Sequence, residues 1–222
     1  MLTKFFLFSF LLYITRSPIL AIILLLVILY VLDRRYVGLT PSLFKPFSRN
    51  RRINRLKEEL RANPHASTSR FELARLYVAQ KKYHEAWGHL EQIERAMEES
   101  ADYHFEVGVC HLKLGRIEAG ETHIFRALEL NPRVGYGDPY LQLAEAYRTT
   151  EPEKAIAMLE QFRQVNSSSC EAYYRLGQLY EQLGRGEDAR RAYRETLEIY
   201  RSLPKYNKRK QRRWAILARF KA

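Results

Sequence analysis

Four stretches decide the fold: FELARLY at 71–77, FEVGVCH at 105–111, LQLAEAY at 141–147 and YRLGQLY at 174–180. Each places an aliphatic residue before a small one and an aromatic or histidine three positions after it. The small residues are Ala74, Gly108, Ala144 and Gly177, at intervals of 34, 36 and 33. A near-constant period of this length marks one supersecondary unit used repeatedly, a unit that buries its apolar face only by stacking on its neighbours. A second signature trails the first. Ala86, Gly120, Ala155 and Ala189 follow after 12, 12, 11 and 12 positions, with Leu90, Ile124, Leu159 and Tyr193 four further on.

On these residues, over about 67 to 201, the chain resembles the tetratricopeptide repeat family, whose unit is a pair of antiparallel helices. The resemblance implies an all-α solenoid of about four helix pairs, near 67–100, 101–134, 137–169 and 170–203. Small residues at two fixed places let the helices of a pair approach, and the aliphatic and aromatic positions fill the gap to the next pair. Gly115 and Gly184 sit where a first helix turns into a second, a place that favours positive φ. Asn131-Pro132 closes the second repeat. The third lacks the turn glycine and carries Thr150-Glu151-Pro152, so Pro152 is expected to start its second helix. The connection 133–139 is longer than the family period and is expected to form a small surface bulge. Within the basic segment 37–66, residues 49–62 read as a lone leading helix, and the basic segment 204–222 reads as a capping helix.

Charge is divided along the chain as sharply as the repeats. The 222 residues are 46% apolar and 28% charged, which excludes a low-hydrophobicity disordered chain. The net charge is +12, but 33–57 hold +7 and 201–222 hold +9, so with Lys4 and Arg16 set aside the body 58–200 is at −6. Between Phe5 and Leu32 the only charge is Arg16, and ILAIILLLVILYVL follows Pro18. Residues 1–36 are therefore expected to form a membrane anchor with a transmembrane helix. Residues 18–32 alone span roughly 22 Å of a bilayer core near 30 Å, so the span must extend back past Arg16 or forward to Val37. A cleaved signal peptide fits less well, because the stretch is long and Asp33-Arg34-Arg35 follows it instead of a small-residue cleavage site. The basic flank, including Arg34 and Arg35, places the repeats on the cytoplasmic side of an integral membrane protein, with one span preferred to a short hairpin.

The resemblance also implies a role: the first helices line a groove that holds a peptide or helix of another protein. Carried onto this sequence, the groove positions give Phe71, Phe105, Leu141 and Tyr174 as a candidate apolar track. Beside it lie Arg75, Val109, Glu145, Arg148, Arg175 and Gln178. The same four apolar residues also suit packing between helices. The positions that grip a C-terminal carboxylate in some family members are here Phe71, Arg75, Glu106, Asp138 and Gln142, only one of them basic, so that clamp is absent.

Other chemistry finds little support. His104 and His111 occupy repeat positions filled elsewhere by tyrosines, and no CxxC or HxxxH spacing points to a metal. Cys110 reads as a small buried hydrophobe, whereas Cys170 starts a helix, where a lowered thiol pKa is conceivable. No phosphate loop, GxSxG or HExxH occurs, so neither an enzyme nor a cofactor is expected. Arg212, Arg213 and Trp214 in the basic tail suit an anionic lipid surface beside the anchor, while Trp214, Ile216, Leu217 and Phe220 suit either burial against the fourth repeat or insertion at the lipid interface; docking with lipid contact is preferred to nucleic acid. The expected function is a membrane-tethered adaptor recruiting a protein partner. The alternatives are an assembly or quality-control factor for membrane proteins, or a nucleic-acid binder using its tail; oligomeric state is not encoded legibly.

Overall fold

The computed structural model describes residue 13, residues 16–32 and residues 45–222. Helix α1 (Pro18–Leu32) contains the apolar run, and α2 (Lys45–Ala62) precedes the repeats. The helix pairs are α3 (Ser67–Ala79) with α4 (Tyr83–Leu90), α6 (Ala101–Lys113) with α7 (Ile117–Leu130), α8 (Asp138–Tyr147) with α9 (Pro152–Val165), and α10 (Cys170–Gln182) with α11 (Gly186–Ser202). Between the first two pairs lies α5 (Glu94–Met97), and α12 (Lys205–Arg219) closes the array. Each helix of a pair packs on its partner, α2 packs on α3, and α12 packs on both α10 and α11. The fold is thus an all-α solenoid.

The small residues act as the sequence reading requires. Gly108 faces Ile124 so closely that an added Cβ would stand 2.8 Å from its side chain, and at Gly120 it would meet Leu112 at 2.6 Å. At Gly177 the ring of Tyr193 occupies the space, 2.5 Å from where a Cβ would be. The turn between the paired helices is left-handed at Gly115 (φ 80°) and Gly184 (φ 71°), and equally at Lys81 (φ 62°), which the sequence did not flag. A non-glycine residue there carries strain. The third pair follows the shorter route, with Pro152 in the first turn of α9.

Two connections add detail to the sequence reading. The connection 133–139 is a short surface turn in which Gly135, Tyr136 and Gly137 take left-handed backbone (φ 57°, 53° and 93°); Val134 and Gly137 are buried, while Arg133, Gly135 and Tyr136 are exposed. Gly137 has φ 93° and leaves no room for a side chain, because a Cβ would stand 2.9 Å from Phe162. The second helix of the first pair breaks at Leu90 into a 3₁₀ turn, Glu91–Ile93, before α5.

Helix α1 is 15 residues long. It does not run back through Arg16, which has φ 50°, and Pro18 opens it, as proline disfavours helix in the residue before it. Of the two extensions open from sequence, the backward one is interrupted at Arg16 and Ser17, and the forward one lies outside the described residues. Among the described residues no helix is long and apolar enough to cross a membrane. Most of the remainder of segment 1–36, with Arg34 and Arg35, lies outside the described residues.

The core is continuous within each end of the array. One cluster joins Ile53 and Leu56 of α2 to Leu73, Tyr77, Leu90, Tyr103 and Val107. A second runs from Val109 through Leu143 and Leu159 to Leu176 and Ala192. A third, Tyr174, Ala189, Tyr193 and Ala218, fastens α12.

Candidate peptide-binding groove

The first helices of the pairs share one face, and that face holds two neighbouring hollows. The first, about 420 Å³, lies between α3, α6 and α8, with Leu76, Val78, Phe105 and Val109 as its apolar wall and Glu72, Arg75, Glu106, Asp138 and Gln142 as its polar one. The second, about 280 Å³, lies between α8, α10 and α12. Its floor is Ala144, Tyr174, Leu179, Trp214 and Leu217, and its charges are Glu145, Arg148, Arg175 and Arg213. Helix α8 contributes to both, its first turns to one and its last to the other.

Of the ten groove residues expected from sequence, Arg75, Phe105 and Val109 line the first hollow, and Glu145, Arg148, Tyr174, Arg175 and Gln178 line the second. Phe71 and Leu141 line neither. Phe71 is half-buried, its ring 6.5 Å from that of Tyr103, with the Arg75 guanidinium 5.8 Å above it. Leu141 is 6% exposed and belongs to the core, as does Tyr174, held between Tyr193 (5.5 Å) and Trp214 (5.4 Å). The candidate stripe is therefore not one open apolar track: Leu141 packs into the central core, and Tyr174 is covered by Trp214 of α12.

Electrostatics distinguish the hollows. In the first, Arg75 Nε donates to Glu106 Oε1 at 3.0 Å. Burial raises the Glu106 carboxyl above the usual range, and the nearby Arg75 opposes that shift. Asp138 is raised as well, by burial and then by repulsion from Glu171. In the second hollow, Arg175 is held by Glu145 at 3.2 Å and by Glu171 at 2.8 Å, with its guanidinium 5.8 Å from the Trp214 ring.

The residues expected at a membrane surface separate. Arg34 and Arg35 lie outside the described residues. Trp214, for which the sequence left burial against the fourth repeat and lipid insertion both open, is half-buried in the groove on Tyr174, where its large apolar ring gains contacts that an exposed position would forfeit. Arg213 lines the same hollow, and Arg212 faces the other side of α12, in a hollow of about 530 Å³ with Tyr200, Arg201 and Arg219. The sequence marked α12 as a cap but not as a wall of the groove. The only local hint was the spacing of Trp214, Leu217 and Ala218 along one helical face.

His104, His111 and His123 cluster in the second repeat where it meets the first. His104 Nε2 donates to the Glu98 carbonyl at 2.8 Å, and its Nδ1 lies 3.0 Å from His123 Nδ1. His123 also stacks on His111, at 5.7 Å, and His111 lies 4.5 Å from Trp87. Burial lowers the pKa of His111 and His123. Among the described residues no group of three or more His, Cys, Asp or Glu is arranged to hold a metal ion. Burial pushes the Cys110 thiol up to about 12 and the Cys170 thiol up to about 11, so the reactive thiol conceived at Cys170 is corrected to an inert one.

Stacked antiparallel helix pairs with a groove on their first helices define a helical-repeat solenoid, a class built to hold other chains. The tetratricopeptide repeat profile matches residues 71–133 and 140–204, more than half of the sequence, and the chain belongs to that family. Its members are typically scaffolds without catalysis, and no catalytic family is indicated. No curated protein matches the chain. Among solved structures it is similar to MamA, at 24% identity and a TM-score of 0.58, covering 66% of this chain and 85% of that one. A thermophilic TPR protein of Thermus thermophilus, TTC0263, is 20% identical with a TM-score of 0.56, covering 78% and 94%. YrrB, described as a TPR protein with an unusual peptide-binding site, is 19% identical with a TM-score of 0.56, covering 80% and 87%. At these identities the likeness is one of fold.

Proposed function

We propose that the protein is a membrane-tethered adaptor whose groove holds a peptide or helix of a protein partner at the cytoplasmic face. The observation that carries this reading is the gathering of eight sequence-selected residues into two hollows joined along α8. The peptide-binding site named for YrrB supports the same use of the fold. The apolar run from Phe5 to Leu32 and the basic residues after it support the tether and its orientation. Tethering confines the adaptor to two dimensions and raises the effective concentration of what it gathers. The basic tail, close to the same bilayer, adds attraction to anionic headgroups through Arg212 and its neighbours.

Photo-crosslinkers placed at Gln142 and Gln178 in the full chain, in its native membrane, test the reading. They should capture a discrete partner, while the same probe at Arg194 on α11 captures none. Equal labelling from all three positions would sink the groove assignment. Protease protection of the repeats in right-side-out vesicles tests the orientation.

A further inference from the structure

The second hollow has a charge balance that its own side chains leave unfinished. Arg175 is satisfied by Glu145 and Glu171. Arg148 and Arg213 line the same hollow, and among the described residues neither makes an ion pair or a hydrogen bond. Arg213 instead lies 5.2 Å from the ring of Trp214. Arg148 is half-buried and Arg213 exposed, and the two guanidiniums give this part of the hollow a positive field that attracts an anion.

We propose that this hollow reads an acidic side chain of the bound segment through Arg148 and Arg213, with an adjoining aliphatic or aromatic side chain seated on Trp214. The inference rests on the groove reading and names the partner's chemistry: an acidic, apolar peptide of another protein. The chain's own ends are excluded by charge, since 33–57 carry +7 and 201–222 carry +9. The first hollow leans the other way: among the described residues Glu72 is paired with Arg52 and Glu106 with Arg75, which leaves Asp138 as the acid without an ion pair and disfavours an acidic residue of the segment there. Arg148 lies within the residues matched by the family, 140–204, whereas Arg213 and Trp214 lie beyond them, so the cap helix completes a reader that the repeats alone supply only in part.

A phage-displayed random peptide library panned against the full chain tests this. Selected peptides should be rich in Asp and Glu next to large apolar residues. A labelled peptide from that set should bind Arg148→Gln and Arg213→Gln at least about tenfold more weakly, as expected for a lost charge-assisted hydrogen bond. The double variant R148E/R213E should lose the acidic set. Unchanged melting of the Gln variants excludes misfolding as the cause. Peptides that crosslink to Gln142 or Gln178 without acidic bias would overturn the inference and leave the groove reading standing. The absence of any enriched peptide would overturn both. Retained affinity in the Gln variants, or displacement of the peptide by a second copy of the chain, would also overturn it.

Discussion

The two ends of the solenoid are capped by different means. At the N-terminal end, α2 buries Ile53 and Leu56 and is tied to the first pair by polar contacts: Arg52 to Glu72 in bidentate fashion, Arg49 to the Ala79 carbonyl, and Gln80 to Asn50. None of its residues lines the groove hollow beside it. At the C-terminal end, α12 buries Ala215 and Ala218, with Trp214 on Tyr174 in the groove itself. One cap only seals the stack, whereas the other seals it and shapes the recognition surface. The difference shows that a terminal helix, free of the repeat consensus, is where such a protein can acquire specificity without disturbing its units.

The hardest way to break that comparison is Tyr193→Ala, which removes the ring filling the space beside Gly177 and the hydrogen bond to Glu181. A loss of about 3–5 kcal/mol is expected. Because repeats contact only their neighbours, hydrogen exchange should show α10 to α12 opening while α3 and α4 keep their protection. Protection lost throughout would mean that the ends are one cooperative unit. In the N-terminal half, Gly120→Ala forces a Cβ against Leu112, 2.9 Å from its backbone nitrogen, and should destabilise by about 1–3 kcal/mol in chemical denaturation. The opposite sign is expected for Lys81→Gly, which relieves a left-handed lysine and should stabilise by about 1 kcal/mol.

Acid should separate the halves more gently. All six histidines lie at or before His123. Burial lowers the pKa of His89, His111 and His123 below the usual 6.5, so the unfolded chain takes up protons first as pH falls. Folded stability in this half is therefore full above the unfolded value and declines as pH drops through about 6.5 toward the lower folded-state values. Trp87, beside His111, and Trp214, in the cap, report the halves separately by fluorescence in single-tryptophan variants. The Trp87 transition should move to lower temperature and that of Trp214 should not, and His111→Tyr should reduce the shift. The smallest effect is expected at the exposed Lys221–Glu181 ion pair, where Lys221→Ala should leave both transitions where they were.

The repeats could be read from sequence because their determinants are local. Ala74, Gly108, Ala144 and Gly177 announce the close helix approaches through spacing alone, and Pro152 announces its own helix start. The groove was legible in part, since a repeated helix face can be carried from unit to unit: Arg75, Phe105 and Arg175 follow from register. Leu141 and Tyr174 share that register yet pack inward, and nothing in the segment of Tyr174 says that Trp214 would descend on it. Lys81 escaped notice because a left-handed turn residue is conspicuous only when it is glycine.

The sequence by itself determined the all-α class, the period, the helix pairing and the division of charge into a −6 body between two basic stretches. These depend on residue type and spacing, which the chain carries locally. Only the tertiary structure decided that α12 forms one wall of the groove, that His104, His111 and His123 stack where the second repeat meets the first, and that Arg148 and Arg213 share one hollow without an ion pair of their own. Those outcomes join residues dozens of positions apart, and it is the packing of one helix on another, not any period in the chain, that selects which of them meet.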